Sequence, residues 1–176
     1  PIQRFAPGTL QFEIGIQTFD ADVQKAIDRR QDNELALANL CWLREHTEAH
    51  LHVDLIAGLP GESLESFGAG YDRLYAARPH EIQLGLLKRL RGAPIIRHQR
   101  SGDLVFEAEP PYRVRQTRAL PADDVIAFEH LAHFHDRVVN GGRLPGLATA
   151  VLEQPGRRDD PGQPISPFAR LRALRD

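Results

Sequence analysis

Three short stretches rich in β-branched, aromatic and other apolar residues lack a helical repeat, and the first two are each followed by a stretch that has one. Residues 11–18 (QFEIGIQT) predict a strand that stops before Asp20, whose short carboxylate suits a helix N-cap. From residue 20 to about residue 30, Val23, Ala26 and Ile27 repeat at helical spacing. Asp32 caps a second helix over residues 33–46, with Leu35, Ala36, Leu40 and Leu43 as its apolar stripe. Residues 51–57 (LHVDLIA) predict a mostly buried strand, broken by Gly58-Leu59-Pro60-Gly61. Leu64, Phe67, Tyr71, Leu74 and Tyr75 then recur at helical spacing until the Arg78-Pro79 step ends that helix. A third strand over residues 81–87 (EIQLGLL) runs into a basic loop over residues 88–100.

The order strand, helix, strand, helix, strand, with connections long enough for parallel crossovers, predicts an α/β fold with a parallel sheet. Three strands cannot close a barrel alone. Beyond residue 101 the alternation stops. A short apolar piece (104–106), the Pro110-Pro111 step, an extended piece (112–117) and a helix over residues 122–139, ended by Asn140-Gly141-Gly142, predict an appended, mostly helical subdomain. Residues 154–167 are rich in Pro, Gly and charge and predict a linker before a short amphipathic end over residues 168–175. The expected division is therefore 1–100, 101–153 and 154–176.

Composition narrows the function classes. The chain has 176 residues, 41% hydrophobic and 26% charged, with 22 Lys and Arg against 24 Asp and Glu. That describes a globular protein with one core and argues against a strongly basic nucleic-acid module. No apolar run approaches the roughly 18 residues needed to span a bilayer, and the start is not leader-like, so the expected compartment is the cytoplasm. There is no methionine, so the chain reads as a fragment. The single cysteine, Cys41, excludes an internal disulfide and cannot supply the three or four thiolates of a zinc or iron–sulfur site. Beside Trp42 on a helix, it reads as a small buried hydrophobe. Among the eight histidines, His130, His133 and His135 on one helix and His50 with His52 on one strand face give no evident metal site, and the basic loop reads as a solvated charge run.

In parallel α/β folds ligands bind beyond the carboxyl ends of the strands. Gln17, the Gly58-to-Gly61 turn and Leu87-Lys88 all fall at such ends, so they are expected on one rim. A glutamine there can both donate and accept hydrogen bonds, and glycines admit a flat ring closely. Such a rim suits a nucleoside-like ligand. The same glycines could instead only build a tight turn, and Gln17 only cap a neighbouring strand.

Gly15-Ile16-Gln17-Thr18-Phe19, continuing through Val23-Gln24 and Arg29-Arg30-Gln31-Asp32, and then Asp54-Leu55-Ile56-Ala57-Gly58-Leu59-Pro60-Gly61, resemble the fourth and fifth strands of a radical SAM barrel. The subgroup is that of oxygen-independent coproporphyrinogen oxidase and the methylthiotransferases. Residues 81–95, with Arg91-Gly92-Ala93-Pro94, resemble the sixth strand and its loop. Residues 88–143 resemble the uncharacterised C-terminal region of radical SAM proteins that carry a cobalamin-binding domain.

The resemblance implies a partial, half TIM-type barrel over residues 1–100. In the family, S-adenosylmethionine (SAM) lies across the rim, chelated by a 4Fe-4S cluster that cleaves it reductively. Carried over by motif, Gln17 would contact its ribose or amino-acid part, Arg29 its carboxylate end, and Asp54 the ribose or adenosine side. Gly58 would give close approach, and backbone near Lys88 would meet the adenine edge. For Arg29 a solvated helix residue, and for Asp54 a structural bond to a helix N-terminus, stay open as alternatives. The family's three-cysteine cluster loop is absent from this chain. The expectation is thus a SAM-contacting half enzyme, inactive alone, whose cluster lies in an N-terminal remainder of the same protein, with cobalamin implied by the wider resemblance and the substrate unknown. Two other readings compete. One is a non-catalytic half-barrel that recruits a protein or RNA partner through its helix and basic loop. The other is an unrelated phosphate binder built on the GLPG turn.

Overall fold

The computed structural model describes residues 2–93, 95–141, 146–153 and 166–174. Strands β1 (Gln11–Gln17), β2 (His50–Ala57) and β3 (Glu81–Leu86) form a parallel sheet in the order β1-β2-β3. Between the first two lie α1 (Ala21–Ala26) and α2 (Asn33–His46), and between the last two lies α3 (Leu64–Ala76). The α/β class and the parallel direction are as the chain order predicts. Asp20 and Asp32 cap α1 and α2 as expected, accepting from the exposed amides of the first turn, and Ser63 does the same for α3.

Helix α1 is shorter than the repeat predicts, because Asp28 adopts a left-handed φ of 57° and turns the chain away. In α2 the apolar stripe is also shifted. Leu40 is buried and Ala36, Leu37 and Leu43 pack on the core, but Leu35 and Trp42 are exposed, Trp42 stacking on His46, and Cys41 is only half-buried. Apolar residues occupy so much of this helix that spacing alone leaves its rotation open.

The expected basic loop contains a short helix, α4 (Ile96–Arg100), and it is not simply solvated. Arg97 pairs with Asp28 and donates to the Ala26 carbonyl, which anchors the loop to the end of α1. The pieces at 104–106 and 114–117 are strands β4 (Leu104–Phe106) and β5 (Val114–Thr117), which pair antiparallel with each other. Helix α5 (Ala122–His135) continues as a π-helical turn over Asp136–Asn140, and α6 (Leu147–Leu152) and α7 (Pro167–Ala173) follow. The expected terminator Gly142, most of the linker over residues 154–167, Pro94 and Arg175 lie outside the described residues.

Odd-numbered residues of β2 (Leu51, Val53, Leu55, Ala57) are fully buried with Ile16 of β1 and Ile82 of β3. Onto that face pack Phe67, Tyr71 and Leu74 of α3, Phe128 and Leu131 of α5, and Phe168 and Leu171 of α7. Gly68 of α3 leaves room for Phe168, since a Cβ there would lie 2.4 Å from its Cδ1. A second cluster of Val23, Leu59, Leu87, Ile95, Leu104, Phe106 and Val114 joins the carboxyl end of the sheet to β4 and β5. Among the described residues no helix is long and apolar enough to cross a membrane.

Candidate functional site

The parallel register puts the carboxyl ends of all three strands on one side: Gln17 pairs with Leu55, and Ala57 with Leu86. A cavity of about 400 Å³ opens there, lined by Gln17, Ile27, Arg29, Arg30, Leu59 and Leu87 together with Asp28 and Ile95. A cavity of this size, partly apolar and partly polar, suits a small-molecule ligand.

Two of its lining residues are held in an unfavourable backbone conformation. The β1–β2 register slips at Gly15 to Gln17, a bulge, and Gln17 has a φ of 68°; Asp28 has a φ of 57°. For residues with a Cβ this left-handed region costs on the order of 1–2 kcal/mol, and such outliers cluster at functional sites. Here the bulge re-aims a side chain that would otherwise continue the alternation of the strand.

Arg29 is half-buried against the cavity, and its guanidinium is partly committed to the fold. Nη2 donates to the Gly15 carbonyl and Nε donates to Gln31 Oε1 at 2.9 Å. Those bonds fix the guanidinium beside the bulge that carries Gln17. A network behind it, in which Gln24 donates to the Thr18 carbonyl and Asn33 to the Phe19 carbonyl, holds the β1–α1 turn.

Gln17 and Arg29 thus meet on one cavity, whereas Asp54, Gly58 and Lys88 do not line it. Asp54 lies three residues before the end of β2, about 10 Å below the rim at the usual rise of a strand. It sits on the uncovered sheet face, where its Oδ1 is buried without a hydrogen-bond partner and His52 Nε2 approaches it to 3.4 Å. Burial raises its carboxyl pKa, His52 opposes that rise and Glu13 adds to it. Gly58 has a φ of 83°, but the space its missing Cβ leaves is taken by Val114, whose Cγ1 would be 2.6 Å away. Lys88 is exposed and bridges antiparallel to Arg113, with Arg89 N–H donating to the Tyr112 carbonyl and Val114 N–H to the Leu87 carbonyl.

Sequence reasoning missed Ile27, Asp28, Arg30 and Ile95 as cavity residues. The signal for Asp28 was available, since an Asp just after a short helical repeat tolerates the left-handed turn. Of the histidines, His135 is buried against the Tyr71 hydroxyl at 3.1 Å, His130 and His133 are exposed, and His50 lies 3.1 Å from Glu81. Among the described residues no three His, Cys, Asp or Glu side chains group as a metal site.

No family model matches the chain. In sequence it is 33% identical over 79 residues to the oxygen-independent coproporphyrinogen III oxidase of Escherichia coli, a match covering 45% of this chain and 17% of that protein. It is 36% identical over 77 residues to the anaerobic coproporphyrinogen III oxidase 1 of Cereibacter sphaeroides, 44% of this chain and 17% of that one. The enzyme of Pseudomonas aeruginosa is 31% identical over 77 residues, again 44% and 17%. The matched part thus spans about a sixth of the length of these relatives. The solved structure of E. coli coproporphyrinogen III oxidase, described as a radical SAM enzyme, overlaps 70% of this chain and 33% of that one, at 20% identity and a TM-score of 0.41. Over part of its length the chain is similar to the oxygen-independent coproporphyrinogen III oxidases.

Proposed function

We propose that this chain is the SAM-contacting part of a radical SAM enzyme, with the ligand in the cavity at the carboxyl ends of β1, β2 and β3. The observation that carries this reading is Gln17, forced into a left-handed conformation by the bulge and facing the same cavity as Arg29. The relatives in sequence support the same class. The cavity offers apolar walls for a nucleobase at Leu59 and Leu87, an amide at Gln17 for hydroxyls, and a guanidinium at Arg29 for a carboxylate. SAM held here would supply radical chemistry only with a 4Fe-4S cluster from the rest of the protein, whose one electron would break the S–C5′ bond to leave methionine and a 5′-deoxyadenosyl radical.

The cluster does not fit this chain. Cys41 is the single thiol, half-buried on α2. The thiolates would therefore come from the rest of the protein. The sheet supports a partial barrel that continues on one side only. The outer edge of β3 is occupied: the Asn140 amide bonds both the N–H and the carbonyl of Ile82, and Val114 bonds Leu87. Among the described residues β1 has a strand neighbour on one side only, which leaves its outer edge for another strand. The cobalamin implied by the wider resemblance gains no support from these relatives.

Binding tests the proposal directly. In the protein at its natural length, titration with SAM should show saturable binding that Gln17→Ala and Arg29→Ala each weaken about tenfold, the loss of one to two polar contacts. Unchanged affinity in both variants would place the ligand elsewhere.

A further inference from the structure

Glu62 is 3% exposed and ends the turn that follows β2, one residue before the N-cap of α3. Its Oε1 accepts from the Thr18 hydroxyl, and Thr18 directly follows Gln17. The same Thr18 oxygen accepts from the Asp20 amide at 3.0 Å, and Asp20 Oδ2 accepts from the Ser66 hydroxyl at 2.9 Å on the first turn of α3. A closed chain of bonds therefore joins the β1–α1 turn, the β2–α3 turn and the start of α3. Glu62 Oε2 is buried and has no hydrogen-bond partner.

An ionised carboxylate needs donors or a cation at both oxygens. Here one oxygen has a single neutral hydroxyl and the other nothing. The residues that line a small cavity together with Glu62, namely Ala57, Gly58, Ser63, Leu64, Phe67 and Leu120, are uncharged. The charged group acting on it is Asp20, another anion. Burial moves the carboxyl pKa up to about 8.

We infer that Glu62 is a positioning residue that, as a neutral carboxylic acid, locks together the two turns bordering the cavity and, on losing its proton, releases them. An anion at Oε2, buried and without a donor, is hydrated only if the packing around it opens, and Glu62 stands between the turn after β2 and Thr18. Because Gln17 precedes Thr18, release also slackens the cavity wall. That last consequence for ligand binding rests on the SAM reading; the lock itself does not.

The test compares wild type, Glu62→Gln and Glu62→Ala at natural length, between pH 6 and 9. Amide hydrogen exchange over residues 17–20 and 58–62, corrected for its intrinsic pH dependence, should accelerate about tenfold in wild type between pH 7 and 9, as ionisation one pH unit above the pKa implies. Amides of α5 should stay unchanged. Glu62→Gln, which keeps the shape and cannot ionise, should hold the slow pattern at every pH, and Glu62→Ala the fast one. A wild-type rim equally protected at pH 7 and 9, or a Gln variant that tracks wild type, would overturn the inference. SAM affinity measured alongside separates the two claims. Binding absent at every pH with the exchange response present supports the lock and sinks the SAM reading. Binding that is pH-independent with exchange unmoved does the reverse.

Discussion

On the side of the sheet that the helices cover, β2 presents Leu51, Val53, Leu55 and Ala57, flanked by Phe12, Ile14 and Ile16 of β1 and Ile82, Leu84 and Leu86 of β3. On the other side the same three strands present Gln11 and Glu13, then His50, His52, Asp54 and Ile56, then Glu81 and Gln83. The register aligns these rows, so that His52 lies opposite both Glu13 and Glu81, and Asp54 opposite Gln83. Parallel strands usually lie between two covered faces. Here one face is a complete core and the other a polar lattice of His–carboxylate pairs ending, at the carboxyl side, in the cavity. The first face makes the fold; the second is free to carry chemistry.

That contrast sets the scale of mutational effects. Leu55→Ala on the covered face should cost about 2–5 kcal/mol in urea unfolding, through lost burial and a residual cavity. Gly58→Ala should cost about 1–3 kcal/mol, since the new Cβ meets Val114 in a backbone conformation that disfavours it. Val114→Ala should relieve the clash and leave the conformational part, so the pair should couple in a double-mutant cycle.

His135 gives the next effect. Burial lowers its pKa to about 4 in the fold. The unfolded chain therefore binds a proton near pH 6.5 that the native state refuses, and stability falls as pH drops from about 6.5 toward 4, by up to about 1.4 kcal/mol per pH unit from this group. His135→Gln should flatten that part of the profile. An unchanged slope would mean that the ring finds water. The smallest effect belongs to the open face: His52→Ala should cost under about 1 kcal/mol, because its partners keep solvent on one side. A cost equal to that of Leu55→Ala would erase the distinction between the faces.

Much of this was legible locally. The alternation HLHVDLIA separates the two faces residue by residue, the N-caps at Asp20 and Asp32 are where the aspartates stand, and the chain order implies parallel strands. Gln17 could be placed on the rim from topology, whereas Arg29 came only from the motif resemblance. Contacts between distant segments were not legible. Nothing near Gly58 announces Val114, nothing near Ile82 announces Asn140, and nothing near Glu62 announces Thr18. The exposed Leu35 and Trp42 show the other limit: a helix with apolar residues on more than one side has a period but no unique phase.

The central claim is where the ligand lies. A crystal structure of the natural-length protein grown with SAM measures it directly. The account predicts density in the cavity against Gln17, Arg29 and Leu59, at the carboxyl ends of the strands. Density at the opposite end, among His50, His52 and Glu81, would contradict it.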